Sequence, residues 1–301
     1  MNNLFTWPAK KRSCRLIVML PIEAIAIYSS QLLRTIALGF IARALAIARV
    51  SDLVILCRNP KLYGLCRFSE KVLRYLLTPP YLRKRLVPID KDLQYVGVLN
   101  PLAIPTHPTR DEMKPGNIRP ALVEHVSSLN KSIAYVDAGL GSLCRAENCS
   151  SVKQGDLVFV EVLSVDPPIC KCIDDSYVDI YTGFDIHVYR SLKKAIENLC
   201  HNCVVIEFSK DGAELRLDDR LDYLESGKRI CLFFGDPDRD PSDIAQDEGF
   251  DLCTLVNEVG STYIKANAFP FQGVRSIRSI EALYVCLSVL NFELYRLGVC
   301  M

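Results

Sequence analysis

The stretch "LRTIALGFIARALAIARVSDLVILC", residues 33–57, decides the fold class because it joins a helical pattern directly to a buried strand. Apolar side chains recur at helical spacing over its first part, and the compact apolar run "LVILC" closes it. The run "CRLIVML", residues 14–20, comes earlier and predicts a first strand. A strand, a helix and a second strand in this order favour a parallel sheet with helices packed on its faces.

The second half of the chain returns to the same alternation of strands with helices or loops. The segments that carry it are "DIHVYRSLKKAIENL", "CVVIEFS", "RICLFFGDP", "CTLVNEVG" and "STYIKANAFP", between residues 185 and 270. The stretch "SIEALYVCLSVLNFELYRL", residues 279–297, then predicts a long amphipathic helix. It has more apolar positions than one buried face needs, so we expect a two-fold homodimer.

Residues 106–173 have a different pattern of apolar and turn-forming residues. Short β-like runs such as "SIAYVDAGL" and "DLVFVEVLSV" are separated there by Gly, Asn, Ser and Pro. This pattern is typical of a small antiparallel barrel. We therefore predict a discontinuous α/β domain over residues 13–105 and 174–301, with a barrel domain inserted at 106–173.

Composition excludes a disordered chain and limits how nucleic acid could bind. The 301 residues are 50% apolar and 24% charged, enough to bury a large core. The net charge is only +1, so a nucleic-acid surface needs locally clustered charge. The apolar stretch at residues 14–28 is interrupted by Pro21 and Glu23, so we expect a cytoplasmic protein with no membrane segment.

Residues 58–85 form such a local basic cluster. Aromatic side chains alternate there with lysine and arginine, as in a surface that binds phosphates and stacks on exposed bases. A solvated amphipathic helix with its aromatic residues in the core would give the same pattern, and both interpretations stay open. The aromatic residues are Tyr63, Phe68, Tyr75 and Tyr81.

Thirteen cysteines are many for an intracellular protein. Close pairs occur in "CRAENC" (144–149), "CKC" (170–172) and "CHNC" (200–203). Thiolate pairs can chelate zinc, but these spacings match no standard zinc finger, so we predict no metal site. The alternatives are small buried thiols or, in a hyperthermophile, intracellular disulfides.

Three loops follow predicted strands, where open α/β sheets usually bind ligands. They cover residues 233–244, 256–261 and 268–276. Gly235 and Gly273 permit close approach of a ligand, and a neighbouring proline stiffens each loop. No G-x-G-x-x-G or G-K-S/T pattern is present, so the fingerprints of dinucleotide and P-loop sites are missing.

Four blocks of this sequence belong together: "LGFIARALAIARVSDLVIL", "PPYLRKRLVPIDKDLQYVGVLNPLAIPTHPTRDE", "YVDAGLGSLCRAENCSSVKQGDLVFVEVL" and "AFPFQGVRSIRSIEALYVCL". They resemble the corresponding blocks of the RNA methyltransferases of the SPOUT superfamily that carry an OB-like insert. They occur in family order, with barrel texture where the insert belongs, and the resemblance covers nearly the whole chain from about residue 14.

The resemblance implies an α/β fold with a C-terminal trefoil knot that binds S-adenosylmethionine, in a homodimer with its site near the subunit interface. It also implies RNA as the substrate, ribosomal RNA in particular, with methylation of a base and uridine N3 favoured. The alternative is an RNA-binding or ribosome-assembly factor with a degenerate methyltransferase fold, and a third interpretation is a small-molecule enzyme using the same pocket.

The same resemblance implies roles for individual residues. The arginine of "LGFIAR", Arg43, is similar to the one that meets RNA or the reacting nucleotide, and Arg275 or Arg278 would stabilise charge developing on the base. Asn100 would contact the base edge, and Glu281 could instead hold an arginine in place. The implied cofactor-binding residues are Phe234, Gly235, Asp236, Pro237, Glu258, Gly260, Ala268, Phe269, Gln272, Gly273, Val274 and Ser279.

This chain departs from the family pattern in its acidic loop "FFGDPDRDPSDI". Relatives tend to be richer in glycine there. Asp236 or Asp238 could accept the ammonium group of the cofactor, or the acidic loop could weaken the pocket. A second departure is "IEFSKDG", which replaces a more usual strand-end "G-T-S", and Ala103 also stands where relatives often have aspartate.

Overall fold

The computed structural model describes residues 4–109, 112–218, 224 and 228–301. The chain divides into two compact units. The sheet unit comprises Arg12–Arg74, Lys91–Asn100 and Gly183–Met301. The barrel unit comprises the described residues up to Lys11 together with Tyr75–Asp90 and Pro101–Thr182, so it extends beyond the 106–173 insert expected from the sequence.

The described residues contain both strands and helices. The strands are β1 (Arg15–Pro21), β2 (Asp52–Leu56), β3 (Ile118–Val126), β4 (Ala134–Asp137), β5 (Cys144–Glu147), β6 (Leu157–Val165), β7 (Pro168–Ile173), β8 (Asp185–Tyr189), β9 (Cys203–Glu214), β10 (Arg229–Phe233) and β11 (Thr262–Asn267). The helices are α1 (Glu23–Ala26), α2 (Gln31–Ile47), α3 (Tyr63–Leu77), α4 (Arg83–Leu86), α5 (Leu192–Leu199), α6 (Pro241–Asp247), α7 (Leu252–Glu258) and α8 (Ser279–Leu297).

The sheet unit is built on a six-stranded sheet in the order β11-β9-β10-β1-β2-β8. All five strand pairs are parallel, which confirms the predicted parallel sheet. The central strands β1 and β10 are apolar after their first residue because helices cover both faces of such a sheet, and β2 is buried at every position. In α2, Ser30 accepts a hydrogen bond from the Leu33 backbone N–H at 3.2 Å and so caps the helix that the sequence predicted.

One sequence prediction in this unit was wrong. The segment "CTLVNEVG" forms α7 and does not end in a strand-end loop. Asp251 caps the helix by accepting the Thr254 N–H at 2.7 Å, and the apolar residues Leu252, Leu255 and Val256 are buried at helical spacing. Glu258 ends α7, and the loop that follows, with Gly260, therefore lies at the edge of the sheet where β11 begins.

The barrel unit contains a closed barrel in the order β3-β4-β5-β7-β6. The pairs are antiparallel except for β5 with β7, which is parallel. The predicted small barrel is therefore confirmed. Its parallel pair, β5 with β7, differs from the antiparallel pairing expected, because alternation of apolar residues does not distinguish parallel from antiparallel strands. Small side chains such as Ala121, Ala146 and Val160 fill its interior.

The aromatic residues of the basic segment 58–85 make contacts within the protein. Phe68 is buried in the core, and Tyr63 lies under the Arg190 guanidinium with 4.6 Å between guanidinium carbon and ring centroid. Tyr81 donates its hydroxyl to the Pro120 carbonyl at 2.7 Å, and burial raises its pKa. These contacts support the interpretation as an amphipathic helix rather than a platform for bases.

Eight of the thirteen cysteines form disulfides. The pairs are Cys14–Cys300, Cys57–Cys66, Cys144–Cys170 and Cys149–Cys172. The motifs "CRAENC" and "CKC" thus cross-link the barrel, which favours the disulfide alternative for them. The two cysteines of "CHNC" are free, buried thiols. Across the described ranges, every helix falls short of the length and apolar character needed to cross a lipid bilayer.

Candidate active site

A cavity of about 280 Å³ opens in the sheet unit where β10 and β11 end. This is slightly below the roughly 300–1,000 Å³ typical of small-molecule sites. Its walls come from the bend of β9 after Phe208, the loop after β10, the loop after β11 and the first turns of α8. The carboxyl end of a parallel sheet is the edge at which α/β proteins usually bind ligands.

Two phenylalanines form an apolar part of the wall. Phe208 and Phe234 are both buried, and their ring centroids lie 5.4 Å apart. Ala282, Val285 and Cys286 add one face of α8, at the spacing of successive helical turns. Burial raises the pKa of the Cys286 thiol to about 12, so this side chain is a neutral part of the wall at physiological pH.

The loop after β10 is a tight turn that only glycine permits at its first position. A Cβ on Gly235 would lie 2.3 Å from the Arg239 carbonyl oxygen. The Asp236 N–H donates to that same oxygen at 3.0 Å, and closes the turn. Gly235 is therefore required by the protein's own backbone.

One acidic side chain of this loop is neutralised by a neighbour within it. The Asp236 side chain is only 3% exposed and forms an ion pair with Arg239 at 2.5 Å. Its other oxygen accepts the backbone N–H groups of Asp238 and Arg239 at 2.9 and 2.8 Å. These bonds occupy the Asp236 carboxylate, whereas Asp238 is exposed.

The loop after β11 is held in shape by its own polar groups. Asn267 accepts the Phe269 N–H at 2.8 Å, and the Gln272 amide donates to the Val274 carbonyl at 2.8 Å. Phe271 has a φ of 58°, an uncommon value for a bulky residue, and its side chain is fully exposed. A Cβ on Gly273 would have no heavy atom of the described residues within 4 Å, so the loop leaves space there.

A buried carboxylate supports the wall from behind. Glu207 is fully buried on β9, and accepts the Tyr263 hydroxyl at 2.5 Å together with the Ser242 hydroxyl. Lys265 on β11 lies 3.3 Å from its second oxygen. Burial lowers the pKa of Lys265, but Glu207 and nearby aspartates together raise it above its ordinary value. This network ties β9, β11 and the start of α6 together beside the cavity.

The structure brings together most of the predicted cofactor-binding residues. Eight of them line the cavity: Phe234, Gly235, Asp236, Pro237, Ala268, Phe269, Gln272 and Ser279. Gly273 and Val274 belong to the same loop but lie outside the lining. Glu258 and Gly260 lie at the opposite edge of the sheet, because α7 replaces the predicted strand.

The predicted catalytic residues lie outside the cavity lining. Arg275 and Arg278 are exposed on the segment between β11 and α8, whose residues Ser276 and Ile277 do line the cavity. Glu281 accepts the backbone N–H of Arg278 at 2.9 Å. Asn100 is exposed at the end of the 91–100 segment.

Arg43 lies on α2, one turn beyond Gly39. A Cβ on Gly39 would lie 2.7 Å from the Leu99 side chain, so this glycine allows the 91–100 segment to pack on the helix. The Tyr284 hydroxyl of α8 donates to the Phe40 carbonyl at 3.0 Å. The motif "LGFIAR" is thereby anchored to both the 91–100 segment and α8.

Sequence reasoning missed the contribution of β9 to the cavity. Phe208, Ser209, Lys210 and Asp211 all line it. The signal was present, because "CVVIEFS" predicted a strand that ends at Ser209. The α8 residues of the wall were also missed, although their helical spacing marks one face.

Comparison with known proteins decides the family. A family model described as "Putative RNA methyltransferase" matches residues 15–290. The chain belongs to this RNA methyltransferase family. The predicted identity as a member of such a family, and as an enzyme of that type, is confirmed at this level.

Curated relatives agree with the family match. An uncharacterized protein of Haloarcula marismortui is 30% identical over 84% of this chain and 90% of its own length. The human 28S rRNA (uridine-N(3))-methyltransferase is 26% identical over 95% of this chain and 80% of its own. The mouse protein of the same name is 33% identical over 95% of this chain and 78% of its own.

Proposed function

We propose that this member of the RNA methyltransferase family transfers a methyl group from S-adenosylmethionine to N3 of a uridine in ribosomal RNA. The observation that carries the proposal is the cavity at the carboxyl ends of β10 and β11, lined by eight residues that the sequence resemblance implies. The names of the human and mouse relatives support the choice of uridine N3. A cytoplasmic location stays a prediction.

The finer fold assignment is part of the same proposal. We assign the sheet unit to the SPOUT superfamily, with its knot formed by the chain after β11, and the barrel to the OB class. The barrel order β3-β4-β5-β7-β6 supports the second assignment, since a five-stranded barrel of mixed connectivity is typical of OB folds. Barrels of this class commonly present a nucleic-acid face.

The residues of the cavity fit the chemistry of this cofactor. The Phe208–Phe234 pair offers an apolar surface for an adenine ring, and the loop after β11 offers backbone groups to its edge. Five aspartates line the cavity against one lysine and one arginine, which favours a ligand with positive charge: Asp211, Asp236, Asp238, Asp240 and Asp243. Exposed Asp238 is the best placed to accept an ammonium group.

When bound, S-adenosylmethionine supplies a methyl group already activated for displacement by its positively charged sulfur. The protein then has to align the acceptor and stabilise it as its proton leaves. Loss of the N3 proton to solvent places negative charge on the uracil ring, and a guanidinium would stabilise that charge. Exposed Arg275 and Arg278, next to the cavity-lining Ser276 and Ile277, are our candidates, with Arg43 and Asn100 binding the RNA.

We also propose a homodimer. The helices α2 and α8 pack on each other and leave large apolar side chains exposed. Phe40 and Ile47 on α2 are 48% and 63% exposed, and Phe292 on α8 is 66% exposed. Exposed apolar groups on neighbouring helices are typical of an interface with another chain.

The test is a transfer assay with labelled S-adenosylmethionine and transcribed large-subunit ribosomal RNA, followed by mass spectrometry of the nucleosides. We expect 3-methyluridine, and Ala282→Phe, which fills the cavity from α8, should abolish both cofactor binding and transfer. Circular dichroism of this variant controls for folding. A parent protein that binds no cofactor at millimolar concentration, or label found only on ribose, would overturn the proposal.

A further inference from the structure

Three thiols converge in the core of the sheet unit, at the edge opposite the cavity. Cys200 follows α5, Cys203 begins β9 and Cys231 lies in the middle of β10. Each is fully buried, and none belongs to a disulfide. Their sulfur atoms lie within 4.8 Å of one another, and those of Cys203 and Cys231 are 3.7 Å apart.

These separations match a set of ligands around one ion. A thiolate binds zinc at about 2.3 Å, which places the sulfurs of a tetrahedral site about 3.8 Å apart. Among the described residues, Cys200, Cys203 and Cys231 are the group of metal-binding side chains whose donor atoms come this close together. Two buried thiols in contact are common in a core, whereas three sulfurs around one point form a chelating geometry.

We propose that Cys200, Cys203 and Cys231 bind a single thiophilic metal ion. Soft thiolate ligands select Cu(I) or Zn(II) over oxygen-preferring ions such as magnesium. The site lies where β9 begins, away from the cavity, so its role is to bind α5, β9 and β10 together rather than to take part in methyl transfer.

Binding conserves atoms and charge in a simple way. Three S–H bonds break, three metal–sulfur bonds form, and three protons go to solvent. The remaining negative charge lies near Arg229, whose guanidinium donates to the Leu199 carbonyl, one residue before Cys200, at 3.1 Å.

The site also has an entry route. Only His201 and Asn202 separate Cys200 from Cys203 in the chain, and both are exposed. Asn202 takes the left-handed conformation, with a φ of 51°, that reverses the chain over the cluster. This turn is therefore the place where exposed chain lies next to Cys200 and Cys203 in the sequence.

Ser261 provides an experimental way to distinguish zinc from Cu(I) as the bound ion. Its hydroxyl donates to the Cys200 carbonyl at 2.7 Å and lies 3.4 Å from the Cys203 sulfur. Zinc prefers four ligands, so a zinc ion here would draw on this oxygen as the fourth, whereas Cu(I) is satisfied by sulfur alone. Ser261→Ala should therefore weaken zinc binding by about tenfold or more and leave Cu(I) binding unchanged.

The experiment titrates the intact protein, with its disulfides in place and without oxygen, with Cu(I) or Zn(II) against a competing chelator. We expect one ion per chain in at least one arm, bound through sulfur at about 2.3 Å by X-ray absorption. Cys203→Ala should reduce the bound metal to background. The matched control is Cys253→Ala, a free thiol outside both the cluster and the cavity lining, and this variant should bind the metal as the parent does.

Thiol counting keeps the proposal falsifiable if Cys203→Ala folds poorly. The denatured, unreduced protein should show the five free thiols of the structure. A disulfide within the cluster would lower that number and overturn the proposal. Failure to retain either ion against the chelator, or retention unchanged in Cys203→Ala, would also overturn it.

Discussion

Replacing Gly235 with alanine should damage the sheet unit and the cavity together. The new Cβ would lie 2.3 Å from the Arg239 carbonyl oxygen and 3.2 Å from the Asp240 Cα. Both are backbone atoms, so no change of rotamer relieves the clash. The turn has to open, and the hydrogen bond from the Asp236 N–H to the Arg239 oxygen, 3.0 Å long, is lost.

The size of the effect follows from two contributions. Overpacking against a fixed backbone costs about 1–3 kcal/mol, and a lost hydrogen bond costs about 1 kcal/mol more. The sum is about 2–4 kcal/mol, which for a domain of this size corresponds to a fall in Tm of roughly 5–15 °C. Differential scanning calorimetry measures the change, and titration with S-adenosylmethionine should show weaker binding because the turn forms one cavity wall.

Gly273→Ala is the matched control. Among the described residues, no heavy atom lies within 4 Å of a Cβ at this position, and its φ is outside the left-handed region. We expect a Tm within about 2 °C of the parent, since a compatible Gly→Ala change alters stability by only about 0.4–1 kcal/mol. A parent-like Tm for Gly235→Ala, or an equal loss in both variants, would refute the steric reasoning.

Four further predictions follow from other parts of the structure. The double variant Cys14→Ala/Cys300→Ala removes a disulfide between residues 286 apart, and it should lower Tm more than removal of the Cys57–Cys66 disulfide, whose residues are 9 apart. The reason is that the loop entropy of the unfolded chain makes the first disulfide worth about 5–6 kcal/mol of stability and the second about 2.5 kcal/mol. Equal losses of Tm would contradict this. Burial lowers the pKa of His107 to about 4, so on acidification the unfolded chain takes up a proton at this residue before the folded protein does. The free energy of unfolding should therefore fall by up to about 3 kcal/mol as the pH drops from about 6.5 to 4. Urea unfolding of His107→Gln should show no such pH dependence from this residue. Tyr263→Phe should cost about 1–3 kcal/mol because Glu207 loses a buried donor, and a neutral result would show that Ser242 and Lys265 suffice. Gly273→Glu should prevent cofactor binding and leave Tm unchanged. Arg43→Ala should keep cofactor binding and lose methyl transfer to RNA. Equilibrium binding and transfer assays measure both, and the reverse pattern would contradict the proposed roles.

The sequence predicted the layers of this fold because the apolar periodicity is strong in the central strands and long helices. It failed at α7, where seven residues are too few for period alone to separate a helix from a strand. The capping residue Asp251 carried the missing signal, since an aspartate before a short apolar run favours a helix start. The disulfide partners were also beyond the sequence, because spacing alone does not define connectivity.

The loops of the candidate site were predictable from the sequence, whereas the contact of Lys265 with buried Glu207 was not. Glycine and proline mark a loop, so the turn at Gly235 was found from local pattern, although its tightness is imposed by Arg239 rather than by a ligand. Glu207 and Lys265 are far apart in the chain but adjacent in the sheet, since Lys265 pairs in register with Glu207. Only the strand order β11-β9-β10 reveals that they meet.

The charges around the cavity differ between its two loops, and this difference bears on how the proposed substrates would be separated. The loop after β10 contributes aspartates, one of which, Asp236, is neutralised by Arg239. The segment after β11 contributes Arg275 and Arg278, both exposed. A cationic cofactor is favoured by the first loop and a polyanionic RNA by the second segment. Asn267 and Gln272 hold the loop after β11 in shape, and under the proposed function this would help to place the two arginines for alignment of donor and acceptor.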